Sequence, residues 1–362
     1  MELNDILRVA ATNGASDIHL RVGIPPMMRI QGDFVPLRDY ERLTPEHTAR
    51  FAASIMNKVQ KEKFARTMEM DMAYGVRGLG RFRVNVFRQR MTLGLVFRTI
   101  SSKILAFEEL NLPPVIKKLA DEHRGLILVT GTTGSGKSTT LAAMIDHINT
   151  TRSCHILTVE DPIEFMHRDK RAVITQREVG TDTVAYAPAL RSALRQDPDI
   201  ILVGEMRDLE TVQIALEAAE TGHLVMSTLH TMDATETVTR VVSLFPPHQQ
   251  EGVRIQLAGI LKGVISQRLV PKADGKGRVP AIEVMVNTGQ VKEYLENPKR
   301  LKELSDVIAR GKSTYGSQTF DQSLFAHYKA NLITYEDALK FASNPDDFAL
   351  RASGVVSSDA MY

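Results

Sequence analysis

The chain has 362 residues, of which 43% are apolar and 24% charged. This length exceeds one ordinary hydrophobic core, so we expect two domains. With 45 basic and 43 acidic residues the formal net charge is +2, which gives no global positive field, and we expect no nucleic-acid partner.

The cysteine content and the apolar runs limit the cellular setting. Cys154 is the only cysteine, which excludes a disulfide framework within the chain and a multi-cysteine zinc site. No stretch has the eighteen consecutive apolar residues of a membrane span, and residues 1–5 lack the pattern of a signal peptide. We therefore expect a cytoplasmic protein that reaches a membrane only through a partner.

Residues 1–100 predict a small α+β domain. Helices are predicted over residues 3–13, and from Pro45 to about Lys63. Short strands are predicted at 17–22, 27–31 and 34–37 and again between residues 71 and 100. In the segment 80–87 apolar residues alternate with polar ones, so one face of this strand is expected to enter a core.

The other face of that predicted sheet carries arginines. One hypothesis treats the following arginines as a solvated surface: Arg81, Arg83, Arg88, Arg90 and Arg98. The other holds that some of them act on a nucleotide bound by a neighbouring subunit, because transfer of a γ-phosphoryl group needs added positive charge in the transition state. The residues alone favour the solvated surface. A linker is predicted at 101–114, between two serines and two prolines.

From residue 115 onward helical and strand patterns alternate. Strands are predicted at 125–130, 155–159, 200–203 and 224–229, and helices at 138–149, 187–195 and 208–221. This alternation predicts an α/β domain over residues 115–345, with a mostly parallel sheet and the ligand at the carboxyl ends of its strands. A hairpin is predicted from 269–271 to 279–286, then mostly helices, and residues 346–362 are expected to form a flexible tail.

A complete phosphate-binding loop, GTTGSGKS, follows the first strand of this domain. Its glycines allow backbone N–H groups to approach the phosphates of ATP. Lys137 is expected to neutralise the β and γ phosphates, and the Ser138 hydroxyl to bind Mg²⁺. The residues expected to contact nucleotide are Gly131, Thr132, Thr133, Gly134, Ser135, Gly136, Lys137, Ser138 and Thr139.

Carboxylates follow two other strands of the predicted sheet. Glu205 stands in the position of a Walker B acid and is expected to orient or deprotonate the attacking water. Gly204 occupies the place where a metal-binding aspartate is usual. Glu160 and Glu164, with Asp161 between them, are therefore expected to position the metal and the water.

Histidines offer a further candidate at the same edge of the sheet. His230 closes an apolar strand, and phosphate sensing and a structural role are about equally supported for it. His223 has a similar but weaker claim. We retain His230 as a catalytic candidate.

Four segments together carry a family resemblance: GTTGSGKSTTLA (131–142), TVEDPIEF (158–165), LRQDPDIILVGEMRD (194–208) and TGHLVMSTLHT (221–231). They resemble the secretion ATPases, and within them the PilT and PilU family of type IV pilus retraction motors. SDIHL (16–20) and GRFRVNVFRQR (80–90) extend the resemblance to almost the whole chain.

The resemblance implies a PAS-like N-terminal domain, a RecA-like P-loop ATPase domain and a homo-hexameric ring with nucleotide between domains. It also implies that N-terminal arginines act on a bound phosphate, which favours Arg81, Arg83 and Arg98, with Arg195 and Arg278 as further candidates. The implied partners are an inner-membrane pilus platform protein and a paralogous motor ATPase. The implied activity is ATP hydrolysis that powers pilus retraction and twitching motility.

Departures from the family pattern leave alternatives open. Pilus-assembly and type II secretion ATPases resemble this core, but they carry an extra N-terminal region and a four-cysteine module that this sequence lacks, which favours retraction. The AIRNLIRE-type motif of the principal retraction motor is not recognisable after Val286, and residues 266–271, 318–322 and 335–339 are closer to the accessory motor type. Two rival hypotheses are a nucleotide-gated structural subunit with slow turnover and a nucleic-acid translocase.

Overall fold

The computed structural model describes residues 1–30, 32–100 and 103–354, which form two compact units. Unit 1 comprises Met1–Lys103 and Glu164–Met166, and unit 2 comprises Ile104–Ile163 and His167–Tyr362. Three predicted features reach outside the described residues: the end of the strand at Gln31, the start of the linker at 101–102 and the tail beyond residue 354.

Unit 1 is built on an antiparallel sheet with the strand order β3-β2-β1-β6-β5-β4. The strands are β1 Asp17–Arg21, β2 Met27–Ile30, β3 Asp33–Pro36, β4 Glu69–Val76, β5 Gly80–Gln89 and β6 Thr92–Ile100. The helices are α1 Leu3–Thr12, α2 Pro45–Ile55 and α3 Lys58–Thr67. In β5 the side chains of Phe82, Val84 and Val86 are fully buried while Arg83 is exposed, so the predicted alternation is confirmed.

The single helix predicted from Pro45 to about Lys63 is wrong, because two helices occupy this region. Helix α2 ends at Ile55, and Asn57 caps α3 by accepting a hydrogen bond from the Gln60 backbone N–H at 2.9 Å. The Gln60 side chain in turn accepts a hydrogen bond from the Asn57 N–H at 2.9 Å. This reciprocal cap competes with a continuous helix.

Unit 2 contains a sheet with the strand order β13-β12-β7-β11-β10-β8-β9. Its strands are β7 Gly125–Thr130, β8 His155–Glu160, β9 Val173–Glu178, β10 Ile200–Val203, β11 Leu224–Leu229, β12 Leu261–Pro271 and β13 Arg278–Val286. All neighbouring pairs are parallel except β12 with β13, so the predicted mostly parallel sheet and the hairpin are confirmed.

Helices cover both faces of this sheet. They are α4 Pro114–Ala120, α5 Lys137–Thr151, α6 Tyr186–Ala193, α7 Leu209–Glu220, α8 Ala234–Ser243, α9 Gln250–Ile260, α10 Gly289–Glu296, α11 Leu304–Arg310, α12 Lys312–Tyr315, α13 Phe320–Lys329, α14 Tyr335–Phe341 and α15 Pro345–Ala352. Alternate residues of β7 enter different cores. Leu126 and Leu128 pack with α7 and α9, whereas Ile127 and Val129 pack with α4 and α5. Burial on both faces is typical of a parallel strand.

Three features of unit 2 differ from expectation. Strand β9 was not predicted, because its residues are mostly half-buried and do not alternate. In the interval predicted as linker, Phe107 packs edge-on against His147 with ring centroids 5.7 Å apart, so residues 104–114 contribute to the core of unit 2. The tail predicted from residue 346 instead begins with α15, in which Phe348 is buried.

Within the described residues, none of the helices has the length and apolar character that crossing a membrane requires.

Candidate nucleotide-binding and hydrolysis site

The segment Gly131–Ser138 joins β7 to α5, as the loop pattern predicts. Gly131 has a φ of 136°, in the region that favours glycine. A Cβ atom there would lie 2.4 Å from the Gln267 carbonyl oxygen and 2.6 Å from Ser135 Oγ. The loop can therefore turn against β12 only because residue 131 has no side chain.

Lys137 is the first residue of α5, and its side chain is held against the loop. Its Nζ donates hydrogen bonds to the carbonyl oxygens of Gly131, at 2.7 Å, and Thr132, at 3.0 Å. Burial lowers the pKa of the Lys137 ammonium, and the negative charge of Glu205 partly offsets this effect. The expected role of Lys137 in neutralising the phosphates fits this position, because its ammonium group lies at the loop backbone.

Polar groups at the start of α5 fit an anion. The N-cap residue of the helix is Gly136, which provides no side-chain cap for the first N–H groups. Ser135 Oγ is buried and has no hydrogen-bond partner within the described residues. Uncapped N–H groups, a buried hydroxyl and the Lys137 ammonium together form a site in which a phosphate would satisfy several donors.

A magnesium ion fits this site only together with a nucleotide. Among the described residues, no cluster of three or more His, Cys, Asp or Glu side chains could hold a metal ion. Magnesium keeps several waters and binds through one or two protein groups plus substrate phosphates. The exposed Ser138 at the start of α5 and the strand-end acids suit that kind of coordination.

A cavity of about 370 Å³ adjoins the loop in unit 2. Its lining includes Gly131 to Ser135 of the loop and Met232, which follows β11. Arg278 at the start of β13 and Lys340 and Phe341 at the end of α14 also line it. This volume lies in the range of small-molecule sites. Of the two further arginine candidates, Arg278 lines the cavity, while Arg195 donates a hydrogen bond to the Arg191 carbonyl oxygen at 2.9 Å.

The structure explains the glycine at position 204. A Cβ atom at Gly204 would lie 3.2 Å from Glu160 Cα, 3.2 Å from the Val159 carbonyl oxygen and 3.0 Å from Tyr186 Oη. The backbone of β8 and the phenol therefore occupy the space that an aspartate side chain would need. The missing Walker B aspartate reflects the close approach of two strand ends.

Glu205 lies in a charged cluster directly after β10. Its Oε2 is 2.6 Å from Arg207 Nη2, and its Oε1 is 3.3 Å from His230 Nε2. Burial opposes ionisation of Glu205, but the hydrogen bond and charge of Arg207 and the nearby His230 outweigh burial and lower the pKa of the carboxyl group. The structure thus brings Glu205 and His230 together and keeps Glu205 ionised near neutral pH.

Glu160 ends β8. Its Oε1 accepts hydrogen bonds from Thr158 Oγ1 at 2.7 Å and from Gln176 Nε2 at 3.3 Å. The following Asp161–Pro162 peptide bond is cis. Glu164 belongs to the short segment Glu164–Met166, which is grouped with unit 1.

Two residues near the acids were missed by the sequence reasoning. Burial, together with the negative charges of Asp161, Glu205 and Glu160, raises the pKa of Tyr186, which keeps its hydroxyl protonated. Gln176 contacts Glu160 from β9. No local motif identifies either residue, because both reach the acids from other elements.

One remaining candidate lies at the other end of its strand. His223 precedes β11, at the opposite end of the strand from His230, and its Nδ1 lies 2.9 Å from the Ala218 carbonyl oxygen.

The arginine candidates lie in unit 1. Arg83 and Arg98 are opposite each other in the β5–β6 register, and Arg98 Nε lies 2.8 Å from Asp17 Oδ1. Burial opposes ionisation of Asp17, but hydrogen bonds from Arg98 and Ser16 lower its pKa. Arg81 is half-buried.

Comparison with known proteins finds relatives among secretion and type IV pilus proteins. The family described as "Type II/IV secretion system protein" matches residues 2–315. The chain is 48% identical over 348 residues to the type IV pilus retraction ATPase PilT of Pseudomonas aeruginosa, covering 96% of this chain and 100% of that protein. It is 41% identical over 360 residues to the type IV pilus ATPase PilU of the same organism, covering 99% and 94%.

Two solved ATPase structures are similar to this chain over almost its whole length. The crystal structure of the pilus retraction motor PilT with bound ADP has a TM-score of 0.89, 48% identity, and coverage of 96% of this chain and 98% of that chain. The ATPase DotB of Legionella pneumophila has a TM-score of 0.76 and 29% identity, with coverage of 97% and 95%.

Gly204→Ala tests the packing argument. We expect the added methyl group to displace the β8 backbone, to lower the free energy of unfolding by about 1–3 kcal/mol, and to reduce ATP turnover. Urea unfolding and phosphate release measure the two effects. Gly259→Ala is the matched control, because a Cβ there meets nothing within 4 Å. Equal behaviour of the two variants would contradict the argument.

Arg207→Gln tests the electrostatic argument. Because Arg207 lowers the pKa of Glu205, its neutralisation should raise that pKa, so the acid limb of the ATPase pH profile should move to higher pH by about one unit. The control is Arg191→Gln, which removes an exposed partner of Glu210. An unmoved acid limb in Arg207→Gln would show that Arg207 does not set the ionisation of Glu205.

Proposed function

We infer that this chain, which belongs to the Type II/IV secretion system protein family, is a Mg-ATPase motor that powers retraction of type IV pili. The observation that carries this proposal is the overlap of two facts. The chain matches a retraction ATPase over that protein's whole length. Its own phosphate-binding loop shares one sheet with the ionised Glu205 and His230 at neighbouring strand ends.

We propose that unit 2 is a RecA-like ATPase domain and unit 1 a PAS-like domain. The parallel sheet of unit 2, with a P-loop after β7, supports the first assignment. The antiparallel sheet of unit 1, with β1 in its interior, supports the second.

In the proposed reaction, water attacks the γ-phosphorus of ATP and ADP leaves. Glu205 orients this water and accepts its proton, and His230, 3.3 Å from Glu205, senses the γ phosphate. Lys137 neutralises the β and γ phosphates. Ser138, Glu160 and Glu164 would hold Mg²⁺ and its waters, and the metal would supply charge neutralisation at the transferred group.

The motor is proposed to be a homo-hexamer in which unit 1 arginines complete the phosphate site of a neighbouring subunit. Exposure of Arg83 supports its assignment to this role, whereas Arg98 is engaged by Asp17. We propose a cytoplasmic ring held at the inner membrane by a pilus platform protein. A paralogous motor is a proposed second partner, since Pseudomonas aeruginosa has both a PilT and a PilU relative.

A second candidate function is that of an accessory retraction motor with weak turnover of its own. The match to PilU over 99% of the chain supports this candidate. Identity of 48% to PilT against 41% to PilU favours the principal motor. Pilus retraction in cells with this gene deleted, alone and with each related motor gene, separates the two. Loss of retraction in the single deletion supports the principal motor, and undiminished retraction would contradict it.

Glu205→Gln tests the assignment of the water-orienting group. We expect kcat to fall by about 10²-fold or more while nucleotide affinity is retained, because general-base catalysis contributes about 10²–10⁴-fold. Phosphate release and binding of a fluorescent ATP analogue measure the two quantities. Glu210→Gln, an equal charge change at an exposed position, is the control. Undiminished turnover of Glu205→Gln would remove the proposed role.

A mixing experiment tests the proposed action between subunits. Arg83→Ala and Lys137→Ala should each be inactive, the first because an arginine acting on a phosphoryl group contributes about 10³-fold or more. In rings assembled from an equal mixture, about a quarter of the interfaces would pair an intact Lys137 with an intact Arg83. We expect partial recovery of ATP turnover on mixing. Active Arg83→Ala rings, or no recovery on mixing, would contradict the proposal.

A further inference from the structure

Strand β9 lies at the edge of the unit 2 sheet and runs parallel to β8. Gln176 is opposite Thr158, and Glu178 is opposite Glu160. Because successive side chains of a strand point to opposite faces, Gln176 and Glu178 lie on the same face. Thr158 and Glu160 lie at the end of β8 that leads into the acidic segment 160–164, so β9 is placed to act on this strand end rather than on the phosphate loop.

Gln176 contacts two partners with the two ends of its side-chain amide. Its Oε1 accepts a hydrogen bond from the His167 backbone N–H at 2.9 Å, and its Nε2 donates to Glu160 Oε1 at 3.3 Å. The His167 N–H can only donate, so the amide oxygen must face it. The backbone donor therefore fixes the orientation of the amide and turns its NH₂ group toward the carboxylate.

The Glu160 carboxylate is held from two elements. Thr158 of its own strand donates to Oε1 at 2.7 Å, and Gln176 of the neighbouring strand donates to the same oxygen. A glutamate side chain has three rotatable bonds, so a single local contact leaves it several orientations. Two donors that converge from different strands restrict the carboxylate to one.

The same face of β9 also holds both ends of the segment that contains Glu164. Glu178 is buried, and its Oε2 accepts a hydrogen bond from the Ile163 N–H at 3.1 Å. Gln176 accepts from the His167 N–H at the other end. Gln176 also contacts Glu160, a proposed catalytic carboxylate, so it links this segment to Glu160.

We propose that Gln176 is a positioning residue for ATP hydrolysis, which orients the Glu160 carboxylate through its NH₂ group while its carbonyl oxygen is fixed by the His167 backbone. The inference rests on the proposed function, because it assumes that Glu160 positions the metal-bound water. Groups that orient a catalytic ligand typically contribute about 10–100-fold to activity. Gln176 acts through Glu160 and not on the nucleotide.

Gln176→Glu is the sharpest test, because the new side chain has the same shape and keeps an acceptor for the His167 N–H. It replaces the donor to Glu160 with a second carboxyl group. The added carboxylate removes the hydrogen bond donated to Glu160 and places a like charge beside it, so we expect kcat to fall by about 10–100-fold. Nucleotide affinity should stay within about twofold of wild type, since the phosphate loop is untouched.

Two further variants separate positioning from general support of the fold. Gln176→Leu removes both hydrogen bonds, and its kcat should fall while its nucleotide affinity stays within about twofold of wild type. Thr175→Val is the matched control, since Thr175 lies next to Gln176 in β9 but its hydroxyl contacts His155 Nε2 at 3.0 Å. We expect Thr175→Val to keep the wild-type kcat. Phosphate release on the full chain, binding of a fluorescent ATP analogue and thermal unfolding of each variant measure these effects.

The outcomes distinguish the inference from the function it assumes. Wild-type kcat in Gln176→Glu, or a fall in kcat accompanied by an equal fall in nucleotide affinity, overturns the inference alone when Glu160→Gln is inactive. Absence of turnover in the wild-type chain overturns the proposed function and the inference with it. A loss of kcat at retained nucleotide affinity in Gln176→Glu, absent from Thr175→Val, supports the inference.

Discussion

The parallel register of four strands in unit 2 is the constraint on which the candidate site depends. Thr130 of β7 is level with Leu229 of β11, and Val203 of β10 is level with Ser227 of β11 and Val159 of β8. Because the strands run in one direction, the segments that follow them begin at one edge of the sheet. The phosphate loop, Glu205 and His230 follow three of these strands, and Glu160 is the last residue of β8. Segments as distant in the chain as the phosphate loop and His230 thus lie at one edge of the sheet without any local signal between them.

This edge of the sheet carries positively and negatively charged side chains that lie close to one another. The Lys137 ammonium lies against carbonyl oxygens of the loop, and burial makes its protonated form less favourable. Arg207 and His230 keep Glu205 ionised despite burial. A triphosphate with its metal would bring negative and positive charge to the same place, so binding, metal coordination and the protonation of Glu205 are coupled. The neutral Tyr186 hydroxyl fills space beside Gly204 without adding charge.

The sequence predicted those parts of the site that are local. The phosphate loop, Glu205 and His230 follow strands whose apolar runs are continuous, and the structure places them where the pattern predicts. What the sequence could not predict depends on contacts between distant segments. Gly204 is explained by the backbone of Val159 and Glu160, and Gln176 reaches Glu160 from a strand whose half-buried residues do not alternate. In unit 1 the division of one predicted helix into α2 and α3 depends on the cap at Asn57, which competes locally with helix propagation.

The central claim is that this chain hydrolyses ATP, and does not merely bind it, at the carboxyl edge of its unit 2 sheet. Phosphate release by the purified full chain, measured at saturating ATP while Mg²⁺ is titrated from zero, tests this claim most directly. We expect negligible release without Mg²⁺, a rise to a plateau as Mg²⁺ is added, and loss of that plateau in Lys137→Ala. Tight ATP binding with no phosphate release at any Mg²⁺ concentration would contradict it and would favour a nucleotide-gated structural subunit.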